Sequence, residues 1–393
     1  MVKQLEEAEA LGGMRNPARS LERLPETIQL GELVSELLVE SVAKLPNLKR
    51  TAEDIFNGVE NVRPFPEAEL AKVRKVVAYL LKPSAMPEPS DGVASTPLCA
   101  ENIMGWGEHS DDPDASTLAR WLVQGAPLGF QEEIERTGIF PPTTGTPSDA
   151  PTEAELFRDS ENWSNWPSAD EEEAEVHKLV RDAESKGFCK VFEARSDVRK
   201  LLGSEPILNK LGVVVKHKEG VKKARIIWDL KESLVNKACD PAERVILPRL
   251  LDVVTSCIKM MQDGLQPTLA VADIRDAFHN IPAGRDRKFT VAAANMENGV
   301  QHFIAYMVLV FGSKSSPTIW GRFAALLGRS LAAVCKETHA QIYVDDPIFV
   351  VPSAKGFDKV ECLTRAFLWT EVLGYPLIIV KGSRRGFYRL DWS

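Results

Sequence analysis

The sequence predicts an α+β fold for its C-terminal part, and three observations predict it. Two β-branched runs flank a basic, glycine-containing turn in LGVVVKHKEGVKKARIIWDL, from Leu211 to Leu230, which is the pattern of a hairpin. A second hairpin pattern, QIYVDDPIFV, covers residues 341–350 and sets Asp345 and Asp346 between two apolar runs. Helical periodicity lies between such strands, as in SPTIWGRFAALLGRSLAAV at 316–334. Hairpins interleaved with helices point to an antiparallel sheet with packed helices.

In chain order, the 393 residues have room for two or three domains. Residues 1–82 read as a mainly helical region, with the helical period clear in LGELVSELLVESVAKL (30–45) and AELAKVRKVVAYLLK (68–82). Residues 83–170 change character: PSAMPEPSDG, HSDDPDAS and FPPTTGTPSDAPTE are rich in Pro, Ser, Thr and acid. That composition predicts a loosely ordered acidic linker holding a few short helices such as STLARWLVQG. A compact domain is predicted over 171–393. It opens with the helix EEEAEVHKLVRDAESKGF, which has acids at its start and Gly187 at its end. Within it, TLAVAD places Asp273 at the end of a short apolar strand.

Composition excludes some classes. No stretch of 18 apolar residues offers a membrane span. The N-terminus lacks the apolar core of a signal peptide, so an intracellular place, cytoplasmic or nuclear rather than secreted, is expected. Six scattered cysteines with no C-x-x-C pair read as reduced core thiols, not a zinc site. The net charge of -8 hides a split: residues 1–174 carry 15 Lys and Arg against 32 Asp and Glu, and residues 175–393 carry 33 against 24. A polyanion would bind the C-terminal half.

Asp273 and Asp345 each end an apolar strand. If those strands are neighbours, the two carboxylates share one sheet edge and repel each other unless a cation lies between them. A few hard oxygen ligands of this kind suit Mg²⁺ bound jointly with substrate phosphates. An Asp-Asp pair alone reads better as a strand end or a turn, because Asp is common in turns.

Five segments in order carry a resemblance. They are KHKEGVKKARIIWDLKESLVN (216–236), D-I-R-D-A-F-H-N-I-P (273–282), VLVFGSKSSPTIWGRF (308–323), Y-V-D-D (343–346) and LGYPLIIVK (373–381). Together they resemble the reverse transcriptase domain of retrotransposon and pararetrovirus-like elements. The resemblance implies a right-hand polymerase palm with fingers, acting as an RNA-directed DNA polymerase. Its substrates would be dNTPs and a primer on an RNA or DNA template, and its cofactor Mg²⁺ or Mn²⁺. On the matching positions, Asp273 and Asp345 are the main metal ligands and Asp346 the third carboxylate. The main chain from Ile274 through Asp276 to Ala277 passes under the triphosphate with N–H groups turned toward it. Phe278 is the gate beneath the sugar, and Gly312 permits close approach to the nascent base pair. Arg225 pairs with triphosphate oxygens, and Lys218 and Lys223 are both candidates for a second cation there. Lys381 is either a general acid for the departing pyrophosphate or a plain strand lysine.

Three positions depart from the pattern. Pro347 follows the two aspartates, Phe311 is apolar where some relatives are polar, and Trp320 is large for its helical site. Only 11 residues follow Gly382, so neither a thumb nor an RNase H region is expected in this chain. The alternative reading is therefore a non-catalytic retroelement remnant that keeps the palm as a nucleic-acid-binding or scaffold protein.

Overall fold

The computed structural model describes residues 25–56, 65–143, 150–160, 164–218, 221–296, 299–353, 358–378 and 388–389, and it mixes helices with three sheets. The strands are β1 (Cys189–Phe192), β2 (Leu208–Lys218), β3 (Val221–Asp229), β4 (Pro267–Val271), β5 (Asp273–Ile274), β6 (Val291–Asn295), β7 (Gln301–Tyr306), β8 (His339–Tyr343), β9 (Asp346–Pro352), β10 (Leu377–Ile378) and β11 (Tyr388–Arg389). One sheet has the order β1-β7-β6-β2-β3, a second β11-β4-β9-β8, and the third pairs β10 with β5.

The second sheet positions the acids. Along β9 the side chains alternate faces: Val350 packs with Val253, Cys257 and Met260 of the helix Leu250–Gln262, while Phe349 and Val351 join the main core with Phe367. A strand covered on both faces reads as a continuous apolar run, which is what PIFVV is. Pro347 explains a break beside it. It accepts the Ala272 N–H at 3.1 Å but has no N–H to return, so the β4–β9 ladder stops at Val271↔Ile348 and β5 begins a separate pairing.

The expectation of an antiparallel sheet needs correction at one pair. β2 runs parallel to β6, with Leu208 opposite Val291 and Asn209 opposite Ala292. The long excursion through β3, the helix Leu250–Gln262 and β4 gives the chain the crossover that a parallel pair requires. Asn209, buried, donates to the carbonyls of Phe289 and Val291 and reinforces the junction.

A loose linker does not describe the helices Ala100–Ser110 and Ala115–Gln124. Ile103, Trp106, Leu118 and Trp121 are buried in the same core as Ala270, Ile274 and Phe323, together with Leu30, Val34 and Leu38 of the helix Pro25–Ala43. Two of the three acids of HSDDPDAS, read as linker composition, are instead partners of the helix Ser316–Val334. Asp114 pairs with Arg322, both fully buried, and Asp112 takes Arg329 at 2.8 and 2.9 Å. That long helix is covered on every side, which is why its two arginines need carboxylates supplied from elsewhere in the chain. Among the described residues no helix is long and apolar enough to cross a membrane.

Candidate active site

The turn between β8 and β9 is a two-residue loop. Tyr343 pairs with Asp346, which leaves Val344 and Asp345 as the loop itself. A two-residue hairpin loop wants a positive φ at its first residue, a place usually given to glycine. Here it is a β-branched valine at φ 56°. Such a backbone costs about 1–3 kcal/mol and persists only where surrounding contacts hold it.

Asp345 is joined to the strand of Asp273 by main chain. The Ile274 N–H donates to the Asp345 carbonyl at 2.8 Å, so the residue next to Asp273 touches Asp345 directly. The acids feel each other: burial first, then the charges of Asp345, Asp346 and Asp276, push the Asp273 carboxyl above the ordinary aspartate range, with Arg275 opposing. Asp346 is the first residue of β9, partly buried opposite Tyr343.

Beyond Ile274 the chain turns sharply. Asp276 adopts φ 52° and its carbonyl accepts from Asn280 at 3.0 Å, opening the short 3-10 helix Ala277–Asn280. Of the four N–H groups expected to face a triphosphate, two are committed elsewhere: Ile274 to Asp345 and Arg275 to the Pro376 carbonyl at 2.9 Å. Those of Asp276 and Ala277 remain candidates. Phe278 is buried, and its ring lies 4.9 Å from that of Phe311, which is half-exposed. His279 sits behind them against Phe188, Tyr306 and Phe311, and its burial lowers the imidazole pKa to about 4.

Gly312 adopts φ 105°, and a Cβ there would collide with the Trp228 carbonyl oxygen at the end of β3. Glycine is thus required by the protein's own chain before any substrate is considered. Asn236 clasps the same loop, donating to the Gly312 carbonyl and accepting the Lys314 N–H, each at 2.8 Å. Sequence reasoning included this asparagine in a motif without giving it a task.

On the β2–β3 hairpin, Lys223 and Arg225 are exposed on one face and stand opposite Lys216 and Val214. Trp228 is buried on the other face, and Lys222 on that side pairs with Glu172 at 2.7 Å. Asp229 is occupied structurally, accepting from the Lys231 and Glu232 N–H groups and from the Trp166 indole. The side chain of Lys218 and the whole of Lys381 lie outside the described residues. Sequence reasoning missed Lys186, whose Nζ lies 3.8 Å from Asp276 and 3.0 Å from Asp182. A lysine near a helix end is too common a signal to have singled it out.

Among the described residues no group of three or more His, Cys, Asp or Glu encloses a metal position by itself. Asp345 and Asp346 nonetheless lie near enough to Asp273 for their charges to act on its carboxyl. Hard carboxylate oxygens, with Asp273 raised first by burial and then by its acidic neighbours, fit a cation that draws its other ligands from water and substrate phosphates.

Comparison with known families gives a direct result. Residues 216–376 match the family model described as reverse transcriptase (RNA-dependent DNA polymerase). No curated protein matches the chain.

Proposed function

We propose, for a chain whose residues 216–376 match the reverse transcriptase family model, that this segment extends a primer with dNTPs on an RNA template as part of a retroelement. The observation that carries the reading is the apposition of Asp273 and Asp345 through the Ile274–Asp345 hydrogen bond, inside the matched segment. In this reading the sheet β11-β4-β9-β8 is the palm, and the β2–β3 hairpin belongs to the fingers.

Asp273 and Asp345, with Asp346 beside them, are the residues that would hold Mg²⁺. Divalent ions bound there supply charge neutralisation and lower the pKa of an attacking hydroxyl. The reaction joins the primer O3′ to the α-phosphorus of the dNTP, breaks the bond from that phosphorus to its bridging oxygen, and releases pyrophosphate and a proton. Arg225 and Lys223, on the open face of the hairpin, would draw in the triphosphate oxygens. The Asp276 and Ala277 N–H groups would support it from below. Phe278 would close the floor under the sugar, its ring braced by Phe311.

The test is single-nucleotide extension of a labelled DNA primer by the full chain, with matched RNA and DNA templates in parallel. Template-directed dNTP addition on RNA supports the reading. Extension on DNA alone would contradict RNA-directed synthesis, and extension on neither would contradict polymerase activity.

A further inference from the structure

Trp320 is the large residue that the helix Ser316–Val334 carries one turn from its start. It is 1% exposed, and its ring stands edge-on to Tyr375 at 6.1 Å. Tyr375 is itself fixed, donating its hydroxyl proton to the Phe323 carbonyl at 2.8 Å. The indole N–H points the other way and donates to the Val344 carbonyl at 2.6 Å. That carbonyl belongs to the peptide unit joining Val344 to Asp345. The two peptide units flanking Asp345 are therefore both held: the preceding one by Trp320, the following one by the Ile274 N–H at the Asp345 carbonyl.

Val344 packs against the main core on one side only. A cavity of about 160 Å³ lies against the same indole, lined by Pro317, Gly321, Ala324, Ile342 and Val344. Open space under a β-branched residue at φ 56° leaves its carbonyl free to swing toward a relaxed conformation. A short hydrogen bond from a rigid buried donor opposes that swing.

We propose that Trp320 is a positioning residue for Asp345: its indole N–H fixes the Val344–Asp345 peptide plane and so aims the Asp345 carboxylate. The proposal rests on the polymerase reading for its kinetic consequence, and on geometry alone for its structural one.

The test compares the full-length protein with Trp320→Phe, which keeps a large ring and removes the donor. Hydrogen exchange followed by mass spectrometry should show at least tenfold faster exchange in the peptide covering 343–346, with exchange in the helix Ser316–Val334 unchanged. In primer extension, kcat should fall at least tenfold while the KM for dNTP moves less than twofold. Trp320→Leu, which also lacks the donor, replaces the phenylalanine variant should that one not fold. Unchanged exchange at 343–346 overturns the proposal, and so does accelerated exchange spread evenly over helix and turn. If the wild type extends no primer, the polymerase reading fails, and the exchange comparison still decides the role of Trp320. If exchange is local but kcat and KM are both unchanged, aiming of Asp345 is overturned.

Discussion

The N–H of Ile274 donates to the carbonyl of Asp345 across 2.8 Å, linking β5 to the β8–β9 loop 71 positions later in the sequence. The bond lies just where Pro347 has ended the β4–β9 ladder. Freed from that ladder, β5 pairs with β10 through Asp273↔Ile378 and Ile274↔Leu377. Asp273 thus stands at a junction of three strands, beside a strained two-residue turn. The concentration of acid and strain at one place is the feature expected of a working site.

The helices before residue 125 form part of the domain's core, and a buried ion pair exposes that dependence. Asp114→Ala leaves Arg322 fully buried without its carboxylate, which costs about 3–5 kcal/mol. Urea unfolding of the full chain should show the loss as a lower midpoint with an unchanged slope. A change below about 1 kcal/mol, the range of exposed pairs, would mean that these helices do not load the core.

Acid stability should depend on His279. Its pKa is lowered to about 4 in the folded chain and lies near 6.5 when unfolded. Between those values the unfolded state binds the extra proton, so stability is full above about pH 6.5 and is lost as the pH falls toward 4. The loss amounts to roughly 3 kcal/mol. Asp276 and Lys186 are the charged groups whose fields reach the ring, acting in opposite directions. Thermal unfolding followed by circular dichroism should show His279→Phe losing Tm less steeply than wild type across this window, and parallel curves would contradict the assignment.

Sugar choice should depend on Phe278. Its ring is buried against Phe311 beside the strand end of Asp273, where it would meet the sugar of an incoming nucleotide. Phe278→Val should raise the ratio of rNTP to dNTP incorporation severalfold in single-turnover extension. If the residue were only core, the cavity would cost on the order of 3 kcal/mol and both nucleotides would suffer equally.

Much of the site was legible because its residues are local in sequence. The apolar runs on either side of Asp345 and Asp346, the Ser-Pro start of the helix at 316, and the glycine at 312 all announce themselves within a few positions. What was not legible involves distant partners. Asp112 and Asp114 have the composition of a linker, and only the fold shows that Arg329 and Arg322 await them more than 200 residues later. The strain at Val344 was hidden because valine at such a place gives no sign of a positive φ. The engagement of the Ile274 and Arg275 N–H groups was hidden too, since a sequence does not say which donors the protein itself consumes. Asp229 read as part of a functional motif, whereas its oxygens are taken by the turn after β3 and by Trp166.

The account turns on Asp345 as a charge, held against Asp273, that serves nucleotidyl transfer. Asp345→Asn keeps the shape of the turn and removes that charge. The decisive measurement is the rate of single-nucleotide primer extension on an RNA template in Mg²⁺, wild type against Asp345→Asn, with matched unfolding curves as the control for folding. The account predicts a fall of about a thousandfold or more, roughly 4 kcal/mol of barrier, with Tm unchanged or slightly raised as repulsion with Asp273 is relieved. Equal rates for the two proteins would contradict it.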